Sequence, residues 1–230
     1  MYDFETETDS VTISQSALLL SYWCPSFTSG HRQVNSTWLS IAIQHAKAMK
    51  ADTYALSVPA TRLGGSASKK KGNILKRLWW CCIIRDRIMP LCVRRSVQIS
   101  RHQFDFNSYA PLNEEDLSDE IHRSTVYDPA SKRVLITILA TLIELCTYLT
   151  DTLEIVYPPK SILPTEDLAF CRKDTKVQHC REGLRRWYNF ARLLLPLVRP
   201  DNDDEAPCGT GTGSHNNLIM MFSDMVWIYY

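Results

Sequence analysis

LKRLWWCCIIRDRIMPLCVRR, running from Leu75 to Arg95, is the stretch whose reading decides the fold. Apolar residues recur at Leu75, Leu78, Trp79, Cys82 and Ile83, which is helical spacing along one face. A second apolar row, Ile74, Cys81, Ile84 and Ile88, covers the other side. A helix that is apolar nearly all round is a buried one. Arg85, Asp86 and Arg87 nevertheless sit in it, and a charge carried into a core must be paired. Sequence neighbours do not face each other on a helix, so the expected pairs, Asp86 with an arginine above all, run to other helices. Pro90 cannot continue the hydrogen-bond ladder and predicts a break or kink near Met89. Trp79 and Trp80 point about 100° apart on a helix, so they read as core residues and not as one stacking platform for bases.

The same stretch also carries a resemblance. Arg77, Trp79 and Trp80, then Arg85, Asp86 and Arg87, then the basic pair Arg94 and Arg95, resemble the signature of the fungal-specific transcription factor domain. That domain is the middle homology region of fungal binuclear-zinc-cluster regulators. WWCC, IRDR and LCVRR are most similar to its cutinase transcription factor branch. Two earlier segments resemble it too: the apolar LLLSYW run and the W-L-x-x-A-I-x-x-A pattern from Trp38 to Ala46. So do Phe104–Asp105–Phe106 and the Leu184-x-x-Trp187 pattern. The family usually has Pro after the second basic residue, where this chain has Ser96, and often a leucine-histidine pair where this chain reads Met49–Lys50–Ala51.

Composition sets the outer bounds. The chain has 230 residues, 45% apolar and 22% charged, which fits an ordinary globular protein with a sizeable core. A net charge of +1 gives no footprint for nucleic acid or an anionic membrane. Met1–Ser10 is acidic and does not read as a secretory leader, and the apolar runs Val134–Leu149 and Leu218–Tyr230 are short or carry Glu144 and Asp224. The expectation is a soluble intracellular protein without membrane contact. None of the eight cysteines forms a C-x-x-C pair, so they read as reduced core residues and not zinc ligands.

In chain order, helices are expected over Val11–Cys24 (ended by Pro25) and over Thr37–Met49 with Ser36 as cap. The second carries the stripe Leu39, Ala42, Ile43, Ala46 and Met49. Thr61–Asn73 (61–73) reads as a flexible basic loop whose Lys69–Lys71 run is either a localisation or phosphate patch or a solvated face. Val97–Asn107 reads as an extended connector and Leu112–Ile121 as a short acidic helix. Asp128–Pro129 is a strong helix start, with the stripe Val134, Leu135, Ile138, Leu142, Leu145, Cys146 and Leu149. After a loop over Ser161–Phe170, Asp174–Leu195 is expected as a helix with Val177, Cys180, Leu184, Trp187, Tyr188, Ala191 and Leu194 inward. Arg199–Asn217 (199–217) reads as a flexible loop, and Leu218–Tyr230 as an apolar helix that stops in mid-pattern. The fold class is therefore all-α: one irregular multi-helix domain of about six helices, expected to be incomplete at its C-terminus.

No catalytic constellation emerges. Gly209, Gly211 and Gly213 follow an acidic segment with no strand before them, so they do not read as a phosphate loop. The six histidines form no H-E-x-x-H or similar pair, and no serine sits in a nucleophile elbow. The resemblance, by contrast, implies a non-enzymatic regulatory region of a nuclear transcription factor that controls a metabolic or secondary-metabolite gene set. It implies that DNA is read by a separate zinc-cluster segment, not found in this sequence, and that no cofactor is bound here. It further implies protein partners or self-association, with a small effector as an additional ligand. The alternative reading is a helical scaffold or interaction protein, a remnant of such a factor that does not bind DNA.

Overall fold

A computed structural model describes residues 7–23, 34–56, 66–123, 126–158 and 169–195, together with Met221 and Asp224. Among these residues there are seven helices and no strand: α1 (Ser10–Leu20), α2 (Val34–Ala48), α3 (Ala51–Tyr54), α4 (Ser66–Val93), α5 (Glu114–Ile121), α6 (Pro129–Val156) and α7 (Ala169–Leu194). An isolated antiparallel bridge joins Leu56 to Tyr109. The all-α expectation holds. The readings of Pro25–Gly30, of Thr61–Gly65, of most of the Ser161–Phe170 loop, of Arg199–Asn217 and of most of Leu218–Tyr230 lie outside the described residues.

α4 is the hub. It packs against α1, α2, α3 and α6, while α1 packs on α2, α5 on α6 and α6 on α7. Its two apolar rows explain why: Leu75, Leu78, Trp79, Cys82 and Ile83 are buried on one side, Ile84 and Ile88 on the other. Leu39, Ala42 and Ala46 of α2 and Leu145, Cys146 and Leu153 of α6 close the core around them. Both tryptophans are fully buried, which agrees with the core reading. Trp80 meets Phe104 and Tyr109 edge-on, with ring centroids 5.9 Å and 5.3 Å away.

Several boundaries differ from the periodicity reading. α4 begins at Ser66, so the flexible-loop expectation fails over 66–73. The Ser, Ala and Lys residues there tolerate a helix, and Gly72, although it costs about 1 kcal/mol as a helix residue, is buried. Pro90 does not break the helix at Met89, because α4 runs on to Val93. A proline removes only its own N–H, and the surrounding core holds the last turn in place. The stop comes at Arg94, whose φ of 53° is left-handed. Its N–H closes the turn on the Pro90 carbonyl at 2.8 Å. α1 ends at Leu20, where the Tyr22 and Trp23 N–H groups turn to the carbonyls three residues back, Leu19 and Leu20, at 3.1 Å each. α2 starts at Val34, which puts Ser36 inside the helix and not at its cap.

The capping signal at Asp128 holds, and α5 carries a cap that was not read from the sequence. The Asp128 carboxylate accepts the Ser131 N–H at 2.7 Å, with Pro129 in the first turn of α6. α5 opens with a full capping box, in which Asn113 accepts the Asp116 N–H at 3.1 Å and Asp116 accepts the Asn113 N–H at 3.0 Å. α6 is long and apolar enough to cross a membrane by length and composition. Its stripe Ile138, Leu142, Leu145, Cys146 and Leu149 is buried in this core. α7 begins at Ala169, five residues before the expected Asp174. Cys180, Trp187, Ala191 and Leu195 of this segment are buried. Val177, Tyr188 and Leu194 are 37%, 37% and 44% exposed, against the inward assignment, because among the described residues α7 packs chiefly on α6.

Candidate functional site

Several charged residues in and just after α4 act as tethers to neighbouring elements. Asp86 and Arg87 lie at its centre. The Arg87 Nη1–H donates to Asp86 Oδ2 at 2.5 Å, with both side chains essentially buried. The pair is therefore between sequence neighbours, which overturns the expectation that Asp86 would reach an arginine on another helix. The reason is the connector after α4. The Ile99 N–H donates to Asp86 Oδ2 at 2.8 Å, and the Ile99 carbonyl accepts from Arg87 Nη2 at 2.6 Å. The Gln98 N–H adds a bond to Asp86 Oδ1 at 2.9 Å. One strip of backbone thus satisfies both charges and draws the long guanidinium back over its neighbour. Arg87 Nε donates to Thr150 Oγ1 of α6 at 2.9 Å, and the guanidinium carbon lies 5.3 Å from the Phe106 ring centroid. A buried charge pair needs this density of further hydrogen bonds to offset its lost hydration.

The other motif residues follow the same pattern. Arg85 holds the Ser21 carbonyl and hydroxyl at the end of α1, and its guanidinium stacks 4.2 Å above the Tyr22 ring centroid. Arg77 makes a bidentate pair with Glu120 of α5, at 2.7 and 2.9 Å. That pairing holds the Glu120 carboxyl below its ordinary range. Lys76, nearly buried, pairs with Asp116 of α5 at 2.6 Å. Arg95 Nη1 donates to Ser36 Oγ of α2 at 3.0 Å. Arg94 alone of the motif is exposed without any such bond among the described residues. Trp79 and Trp80 lie within the core, and Trp80 Nε1 donates to the Ala110 carbonyl at 3.3 Å.

Sequence reading located the charges and missed their partners. Ser21, Ser36, Gln98, Thr150 and Glu120 show no periodicity of their own. The backbone of Gln98 and Ile99 leaves no trace in side-chain pattern at all. The one legible signal was the N-x-x-D spacing of Asn113 and Asp116, which marks a capping box and so places α5 beside Lys76.

Beyond the tethers, a cleft of about 920 Å³ opens where α4 ends. Arg94, Arg95, Ser36, Ser40 and Gln98 supply its polar wall; Met89, Pro90, Val93 and Val156 supply its apolar floor. Gln98 is held there by the Ser40 hydroxyl at 2.7 Å and by the Ser36 carbonyl at 3.3 Å. A second groove, about 440 Å³, lies between α6 and α7 and contains Glu144 beside Phe190 and Leu194. Burial without a compensating partner charge pushes the Glu144 carboxyl up.

The five cysteines whose side chains are described do not gather into a zinc cluster. Cys81, Cys82, Cys92, Cys146 and Cys180 are free thiols on three different helices. Burial pushes the Cys82 thiol up and the Cys146 thiol up to about 12, which opposes the thiolate that zinc requires. Among the described residues no group of three or more His, Cys, Asp or Glu side chains is placed to hold a metal ion.

A family model described as "Fungal specific transcription factor domain" matches residues 1–189. The chain is 31% identical over 123 residues to "Cutinase transcription factor 1 beta" of Fusarium vanettenii, a match covering 53% of this chain and 12% of that protein. It is 30% identical over 104 residues to a protein named "Transcription factor" of Fusarium pseudograminearum (strain CS3096), covering 45% of this chain and 10% of that one. The matched stretches thus span 12% and 10% of these curated relatives. No solved structure matches. The chain belongs to the fungal specific transcription factor domain family, the non-enzymatic regulatory region of fungal zinc-cluster-type transcription factors.

Proposed function

We propose that this chain is the regulatory region of a nuclear transcription factor that controls a metabolic or secondary-metabolite gene set. The observation that carries the reading is the family match over residues 1–189, together with the relative named for a cutinase gene. The family acts on transcription, and Lys69, Lys70 and Lys71 are exposed at the start of α4, in keeping with action in the nucleus. DNA contact belongs to a zinc-cluster segment of the kind found in the family. The charged motif in this chain is consumed by tethers between helices and holds no spare face for phosphates apart from its last two arginines.

The region works by binding other molecules: protein partners or a second copy, and a small effector. Leu19 and Trp23, at the end of α1, are 72% and 61% exposed, apolar surface that a protein partner could cover. A helical scaffold without any transcriptional role is the competing reading. Fusing the chain to a heterologous DNA-binding domain, upstream of a reporter in a filamentous fungus, separates the two. The regulatory reading expects the fusion to change reporter output relative to the DNA-binding domain alone. It also expects deletion of the gene to shift transcripts of a compact set of metabolic genes. Unchanged output together with an unchanged transcript profile would leave the scaffold reading.

A further inference from the structure

We infer that the cleft at the end of α4 is a binding site for a small organic anion, one with a carboxylate or phosphate head and a compact apolar body. The inference rests on the effector part of the reading above and gives that effector a place and a chemistry. The cleft volume, about 920 Å³, lies in the range that encloses a small ligand. Its charge is one-sided. Arg94 and Arg95, both exposed, line the cleft. Asp86 is the one carboxylate in the lining, and it is already saturated by Arg87 and by the N–H groups of Gln98 and Ile99. The head of an anion therefore meets two cations and no free negative charge, with guanidinium geometry suited to two-point contact.

Three further features agree. Arg94 is the one motif cation with no partner among the described residues, although every other one spans to a neighbouring element. It is also held at a left-handed φ of 53°, a conformation that non-glycine residues adopt at a small energetic penalty. The hydroxyl of Ser36 positions Arg95 at 3.0 Å, so the second cation is fixed before any ligand arrives. Met89, Pro90, Val93 and Val156 add apolar lining, which bare inorganic phosphate cannot use. Because the wall combines α2, the end of α4 and the end of α6, a ligand here touches three elements at once. It is placed to shift their relative packing.

Titration calorimetry on the purified full chain at constant ionic strength tests the site. The probes are phenyl phosphate, phenylacetate, neutral benzyl alcohol and inorganic phosphate. The site predicts saturable binding of at least one of the two aromatic anions, weaker binding of inorganic phosphate and none of benzyl alcohol. Arg94→Gln with Arg95→Gln should weaken that binding by about tenfold or more, the loss of a charge-assisted contact. Arg95→Lys, which keeps the charge but loses the two-point geometry, should bind between the wild type and the double variant. Arg94→Asn, an exposed change that tolerates the left-handed backbone, provides a variant that folds independently of the Ser36 contact. Circular dichroism confirms the fold of each. No saturable heat with any anion up to about 10 mM, or equal affinity in the wild type and all arginine variants, overturns the site. Intact binding in a chain whose reporter fusion is silent supports the site and counts against the regulatory reading alone.

Discussion

Trp79 and Trp80 are adjacent, equally buried, and unequal in their polar groups. Trp80 Nε1 donates to the Ala110 carbonyl, whereas Trp79 Nε1 is buried with no hydrogen-bond partner among the described residues. Replacing either by Phe removes similar volume. Trp80→Phe additionally takes this donor from a half-buried carbonyl, while Trp79→Phe removes a donor unsatisfied among the described residues. Trp80→Phe should therefore cost about 1–3 kcal/mol more than Trp79→Phe in urea melts, and the reverse order would refute this assignment. Glu144 gives a second prediction at this scale. Burial alone raises its folded-state value above the ordinary value of 4.5, so only the folded state penalises its charge. That penalty is absent at pH values below the ordinary value and complete above the raised one. Glu144→Gln should stabilise the chain at pH 7, with the gain fading as the pH falls toward 4. A Gln variant that is less stable at pH 7 would show that the carboxylate has a partner. Which tryptophan finds a carbonyl, and which carboxylate lacks a partner, depends on the connector and on α7, and neither is written in local pattern.

The element scale is where the sequence was most informative. Spacing alone identified α2, α4, α6 and α7 and most of their buried stripes, because a 3.6-residue apolar repeat is a direct imprint of one buried face. It failed at ends. Pro90 looked like a stop and was absorbed by a core that does not need its N–H. Ser66–Asn73 looked like a loop, because Lys and Gly carry no apolar period even where tertiary contact sustains a helix. The α6–α7 contact was also invisible. There, Gly183 faces the Tyr148 ring so closely that a Cβ would sit 2.8 Å from Cδ1 and 3.2 Å from Cε1. Gly183→Ala gains about 1 kcal/mol of helix propensity but must displace the ring root, an overpacking cost of about 1–3 kcal/mol. The single variant should be neutral to destabilised by about 2 kcal/mol. In a Tyr148→Ala background the same change should stabilise by about 1 kcal/mol. Thermal melts of the four chains read the reversal of sign, and an unchanged sign would mean that the two helices are not in this contact.

At the scale of the whole molecule, the family motif is an internal fastening with one open end. Arg85 fastens α1, Lys76 and Arg77 fasten α5, Arg95 fastens α2, and the Asp86–Arg87 pair fastens both the connector and α6. Arg101 extends the set by its pair with Asp151 on α6, which raises the arginine further above its ordinary value. This arrangement explains why a buried helix tolerates so many charges, and it leaves the cleft beside Arg94 as the place where a ligand could act on several elements together. Asp86 is the centre of this arrangement. If it is the buried anchor of these contacts, Asp86→Ala strands the Arg87 guanidinium and frees the Gln98 and Ile99 N–H groups. Guanidinium chloride unfolding of the wild type and Asp86→Ala chains measures this directly. The predicted loss is about 3–5 kcal/mol with a cooperative transition retained. A loss under about 1 kcal/mol, the range of a surface ion pair, would contradict it.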